Sequence, residues 1–217
     1  MRLEKFISSG VHMMGRFKPC MCATFVLTNG GEAVILELPP GSSRKRPPWI
    51  GARRFIKRHK LNPVLMLASH THWDHLGGFR YFRHTFPKTP FIINESGGRN
   101  FRLDYLDRTF PGRALELSIG GEPMFILSAP KHSYEDLLVV FKGTVCTGDW
   151  TLGPMQDCNA IVSIRQKIAT LSFVRNFLEE RGYHVHTTYS AHGNDIRRGI
   201  DFNGMLREME NYWSRWR

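Results

Sequence analysis

The sequence predicts an α/β fold, and three observations carry that reading. Short apolar runs bounded by glycine turns fill both halves of the chain. Stretches with helical periodicity separate or close those runs. A cluster of histidines and aspartate follows one apolar run directly. It therefore stands at the C-terminal end of a predicted strand, where open α/β sheets place their ligand sites.

The elements follow in order. Residues 2–9, 11–17, 22–29 and 32–38 read as short strands, and Asn29-Gly30-Gly31 is a hairpin signal that makes the last two antiparallel neighbours. Residues 39–48, rich in proline, serine and basic side chains, read as a loop. Residues 49–60 form a basic amphipathic helix, its faces set by Ile50, Phe55 and Ile56 against Arg53 and Arg54. The run 63–68 is a buried strand, and 76–83 a helix. Strands are expected at 90–94, 115–119 and 124–127, the last two parted by Gly120-Gly121. Two more, 137–141 and 145–147, turn on Lys142-Gly143. Residues 163–181 give the clearest helix, with Ile164, Ile168, Leu171, Phe177 and Leu178 on one stripe and Gly182 closing it. A strand at 183–188 and a helix at 203–216 end the chain, with Trp213 and Trp216 as core anchors. At 217 residues and 41% hydrophobic, one domain over 1–217 is expected.

The polar cluster is His70-Thr71-His72-Trp73-Asp74-His75. In extended chain, residues two apart project to the same side, so His70 and His72 can bind one cation together. Asp74 and His75 lie past the turn and can face a second. Neutral imidazole and carboxylate are donors that zinc takes in catalytic sites.

This H-x-H-x-D-H pattern resembles the signature of the metallo-β-lactamase superfamily. The resemblance implies a four-layer αββα sandwich with one or two metals at the sheet edge, and three later ligands in fixed order. His132 follows the strand-and-turn run Ile126-Leu127-Ser128-Ala129-Pro130. Asp149 ends Thr147-Gly148-Asp149, and His192 stands in Ser190-Ala191-His192-Gly193. The turn around His132 departs from the family's glycine-rich form, with Lys131 before it and Tyr134-Glu135-Asp136 after it. By the resemblance, which covers about residues 20–195, His70, His72 and His132 hold one metal. Asp74, His75 and His192 hold the other, and Asp149 bridges them. The implied cofactor is two zinc ions per chain, with iron or manganese as substitutes. The implied activity is hydrolysis of an ester-type bond (thioester, lactone or phosphodiester) by a hydroxide bridging the metals, with Asp74 orienting it. Tyr134, Tyr189 and Lys131 are candidate proton donors to the leaving group. His184 and His186 read as structural members of their strand.

Charge narrows the partners. The formal net charge is +11, and between residues 39 and 94 the sole acid is Asp74 against eleven arginines and lysines. A basic quarter of this kind attracts anions, so a small anionic substrate is expected, with nucleic acid as a further partner. The contrasting reading is a nucleic-acid- or nucleotide-binding protein with structural metals. Against it, a seven-donor set leaves open positions, whereas structural zinc sites are closed. Cys20, Cys22, Cys146 and Cys158 show no zinc-finger spacing, and reduced thiols are the simplest account. No export signal and no membrane-length apolar run occur, so a cytoplasmic protein without membrane contact is expected.

Overall fold

The computed structural model describes residues 5–17, 21–41, 47–98, 103–104, 107–155 and 161–216. Cys20, Cys158, Arg44, Lys45 and Arg46 lie outside the described residues.

The first sheet has five strands in chain order: β1 (Lys5–Ser8), β2 (Val11–Phe17), β3 (Cys22–Asn29), β4 (Glu32–Leu36) and β5 (Asn62–Leu67). Helix α1 (Pro48–Arg58) carries the chain from β4 to β5, which pair in parallel. Its first residue is proline, whose missing N–H costs nothing there. After β5 come α2 (Trp73–Leu76) and α3 (Phe79–Thr85). The single helix expected over 76–83 is thus two, parted at Gly77-Gly78. A Cβ on Gly78 would lie 2.2 Å from the Pro39 carbonyl oxygen, so only glycine allows this approach. A small parallel pair follows, β6 (Ile92–Asn94) with β7 (Arg108–Phe110), with α4 (Glu95–Gly98) between them in sequence.

The second sheet contains β8 (Ala114–Ile119), β9 (Glu122–Ser128), β10 (Leu137–Phe141), β11 (Thr144–Cys146), β12 (Thr187–Tyr189) and β13 (Ile196–Arg198), side by side from β13 to β8 in the order β13-β12-β11-β10-β9-β8. Helix α5 (Ile164–Glu180) crosses from β11 to its parallel partner β12, and α6 (Phe202–Ser214) ends the described fold.

Alternation along the strands explains the layers, because successive side chains point to opposite faces. Phe25 and Leu27, Val34 and Leu36, and Leu65 and Leu67 face inward from the first sheet. They meet Met124, Ile126, Leu137, Val139 and Phe141 from the second. The intervening residues Val26, Ala33, Ile35 and Met66 face outward onto Ala52, Phe55 and Ile56 of α1 and Phe82 of α3. Phe125, Leu138 and Val140 likewise cover Leu171, Val174 and Leu178 of α5 and Leu206 and Met209 of α6. The result is the expected αββα sandwich, with each fully buried large apolar side chain contributing about 1.5–3 kcal/mol.

Three expectations need correction. The strand placed at 183–188 is confined to Thr187–Tyr189. Tyr183 instead closes α5, its amide donating to the Leu178 carbonyl and its hydroxyl accepting from Gly143 N. His184 and His186 therefore precede the strand, and His186 Nδ1 lies 3.0 Å from Thr187 Oγ1. Trp213 is buried as expected, but Trp216 is exposed, because α6 ends at Ser214 and releases it from the apolar face.

Candidate metal centre

Strand direction gathers the candidate residues. β4 and β5 run parallel, and β9, β11 and β12 share one direction in the second sheet. The C-terminal ends of these five strands deliver Glu37, His70, His132, Asp149 and His192 respectively. Backbone hydrogen bonds tie the two sheets at this rim: Leu137 N to Ser69 O at 2.6 Å, and Ala23 N to Ala191 O at 3.0 Å.

The seven residues singled out from the sequence form two groups. In the first, His70 Nε2 lies 3.0 Å from His72 Nδ1, and His132 Nε2 lies 3.4 Å from the same atom. In the second, His75 Nε2 lies 3.3 Å from Asp74 Oδ2 and 3.3 Å from Asp149 Oδ2, with His192 Nε2 3.4 Å from Asp149 Oδ1. Within each group one donor atom per residue lies within 4.8 Å of every other. Asp149 stands between them, its Oδ2 4.0 Å from His70 Nε2 and 3.9 Å from His132 Nε2. Tetrahedral zinc with bonds of about 2.0–2.1 Å would separate its ligand atoms by about 3.3 Å, the scale seen here.

Local sequence sets these positions. His70 and His72 alternate on extended chain after β5, and His72 caps α2, whose single turn presents Asp74 and His75. Asp149 follows Gly148 at φ +56°, where a Cβ would come within 3.0 Å of Ser69 Cβ. Glycine therefore lets the β11 turn close onto the β5 turn.

Electrostatics favour a cation. Burial first, then the neighbouring His75, pushes the His70 pKa down to about 2, so its imidazole is neutral with a lone pair to donate. Burial would also lower His75, but Glu37, Asp149 and Asp74 outweigh it and hold that ring well above its ordinary value. Burial would raise Asp149, yet His192 and His75 keep its carboxylate well below the usual range. The His75 ring beside it does the same for Asp74. Positive charge is thus demanded among the clustered carboxylates Glu37, Asp74 and Asp149. His75 Nε2 and Asp149 Oδ1 are buried atoms that make no hydrogen bond of good geometry, and a cation would satisfy both. The donor set therefore fits a metal site.

Sequence reasoning missed the supports behind these donors. Glu37, fully buried, accepts from His75 Nδ1–H at 3.0 Å and from Ser69 N at 3.1 Å. Cys22 Sγ lies 3.7 Å from the same Nδ1. Ser69 Oγ lies 3.1 Å from His70 Nδ1. Asp136 Oδ2 accepts the backbone N–H groups of Lys131, His132 and Ser133 at 2.6–3.0 Å, which fixes the turn that carries His132. The signal for Glu37 was present, an acid ending an apolar strand, but it matched no expected ligand position.

Of the three candidate proton donors, Tyr134 alone keeps its hydroxyl at the surface, donating to the Ile161 carbonyl at 3.1 Å. Tyr189 is buried beside Phe25 in the inter-sheet core, and the Lys131 ammonium is buried, donating to the Thr151 carbonyl. Burial removes both from that role.

The profile of the metallo-β-lactamase superfamily matches residues 17–140. No curated protein sequence matches the chain. Among solved structures, DIM-1 metallo-β-lactamase is similar with a TM-score of 0.73 at 13% identity, over 99% of this chain and 97% of that one. A metallo-β-lactamase from Pontibacter korlensis gives 0.71 at 15% identity, over 97% and 98%. Rubredoxin oxygen:oxidoreductase from Desulfovibrio gigas gives 0.69 at 11% identity, over 97% of this chain and 61% of that one. No helix among the described residues is long and apolar enough to cross a membrane.

Proposed function

The chain belongs to the metallo-β-lactamase superfamily, and from that premise we propose that it is a dinuclear metal-dependent hydrolase. In this reading it cleaves an ester-type bond, in a thioester, lactone or phosphodiester, of an anionic substrate. The observation that supports it most is Asp149, a carboxylate set between a group of three imidazoles and a group of two imidazoles and a second carboxylate. Zinc suits these donors, and iron and manganese accept them as well.

When bound, two divalent cations supply Lewis acidity and lower the pKa of a shared water towards about 7. The chain's residues do the rest. His70, His72 and His132 are imidazole donors, as in hydrolytic zinc sites with three histidines, so the one carboxylate charge beside that group is that of the shared Asp149. This favours hydrolysis over the redox chemistry named for the Desulfovibrio gigas neighbour. Asp74 is the more accessible carboxylate, with 28% of its side chain exposed against 17% for Asp149. It can orient an attacking water and accept its proton, while His75 keeps it ionised beforehand. The basic excess between residues 39 and 94 draws anions to this part of the chain.

Elemental analysis of protein purified without chelator should approach about two metal equivalents per chain. A panel of thioester, lactone, activated phosphodiester, cyclic nucleotide and β-lactam, with zinc or manganese, should reveal metal-dependent turnover of one class. One equivalent or less after reconstitution, with no turnover, would sink the proposal.

A further inference from the structure

The cations of α1 take no part in the metal centre. We propose that α1 and α3 together form a docking surface for single-stranded nucleic acid. Arg53, Arg54, Lys57, Arg58 and Lys60 are all exposed, on or directly after α1. Arg53 and Lys57 stand one turn apart, as do Arg54 and Arg58, about 6 Å along the axis. They make two short cationic rows. Along the sequence these rows lie in a stretch poor in acids, with Asp74, at the metal centre, the one acid between residues 39 and 94.

Aromatic groups distinguish the partner. Trp49, at the start of α1, stacks on Tyr81 of α3, with ring centroids 4.4 Å apart and planes 9° from parallel. The Trp49 ring is seated over Gly41, where a Cβ would approach it to 2.8 Å. Tyr81 is nonetheless 57% exposed, beside exposed Arg80. A fixed aromatic plane next to cationic rows is the pairing that single strands use, with bases stacking and phosphates held by charge. A membrane surface fits less well. An interfacial helix needs its apolar face free, and here Ala52, Phe55 and Ile56 are spent on the first sheet.

Fluorescence anisotropy tests this with a labelled phosphorothioate single strand, which resists cleavage, on full-chain protein with its native metal content. Affinity should fall steeply with salt. The double substitution Arg53→Ser and Arg54→Ser should reduce the log–log salt slope by about 0.7 for each cation removed. Tyr81→Ala should weaken binding about tenfold with the slope unchanged, and Tyr81→Phe should restore it. Thermal melting should show all three variants folded, since each side chain is exposed. Absence of salt-dependent binding would overturn the proposal. So would parental behaviour of the Arg and Tyr81 variants, or displacement by polyglutamate with Tyr81 silent, which would mark an acidic-protein site instead. Because the probe is not cleaved, this result is independent of the hydrolase assay, and either can fail alone.

Discussion

The two donor groups differ in charge more than in shape. The first is three imidazoles, and the support behind His70 is the neutral Ser69 hydroxyl. The second holds Asp74 and Asp149, and the support behind His75 is a fully buried carboxylate, Glu37. One side therefore has only the shared Asp149 to offset a cation's charge, while the other adds Asp74 and, behind His75, Glu37. In hydrolysis these are complementary needs: one centre to polarise, one to hold and deprotonate. The contrast also implies that the second group depends on charge for its assembly and the first mainly on geometry.

Breaking the shared residue should have the largest effect. Asp149→Ala removes the donor common to both groups, so metal content should fall below about one equivalent and hydrolysis to background. Its side chain is partly exposed, so circular dichroism and melting should still report a folded chain. Near-parental turnover would remove Asp149 from the site altogether.

Breaking one side at a time comes next. His132→Ala should empty the imidazole group and Asp74→Ala the carboxylate group, each leaving about one equivalent of metal, a folded chain and no hydrolysis. If either variant released both metals, the groups would not be the separable units described above.

Glu37→Gln sharpens the contrast in charge. The amide keeps the shape but loses the charge that faces His75 Nδ1–H. Removing such an outer partner typically costs about 10–100-fold in metal affinity. A competitive chelator titration should show the loss in one metal equivalent and spare the other. Equal affinity for both would mean that Glu37 serves folding alone. Glu37→Ala is a poorer test, because it orphans Ser69 N–H and His75 together, and breaking such a buried pair costs about 3–5 kcal/mol.

Those supports mark the boundary of what the sequence conveyed. His70, His72, Asp74 and His75 were legible because their spacing on a strand and one turn already puts them together. Strands such as β3, β4 and β10 were legible because they bury side chains on both faces, so their apolar runs are continuous, whereas their arrangement in αββα layers was implied by the family resemblance of the histidine motif. Glu37 was not legible, since His75 and Ser69 lie 38 and 32 residues away and only the packed rim brings them into contact. Asp136 and Ser69 act on near neighbours in the chain, but a turn aspartate and a serine beside a histidine carry no distinctive spacing. β7 and β13 were missed for a related reason. Each has three residues, including Arg108 and Thr109 in one and Arg197 and Arg198 in the other, and neighbouring strands hold them rather than any apolar period of their own.

Ser69→Ala should have the smallest effect, and its size decides whether the asymmetry of support is real. Ser69 Oγ lies 3.1 Å from His70 Nδ1, so in the tautomer that leaves the Nε2 lone pair for a metal, Nδ1–H donates to the hydroxyl. The loss is one neutral hydrogen bond, about 0.5–1.5 kcal/mol net, or roughly two- to tenfold in metal affinity. His70 is otherwise held in place, its backbone following β5 and its ring packed edge-on against His72 and His132. Gly148 presses close to Ser69, so a missing hydroxyl leaves only a small void. Chelator competition on Ser69→Ala and Glu37→Gln, side by side, should therefore give a modest loss confined to one metal and a larger loss confined to the other. A Ser69→Ala loss as large as that of Glu37→Gln would show that orientation of the imidazole, rather than the charge behind it, governs both groups.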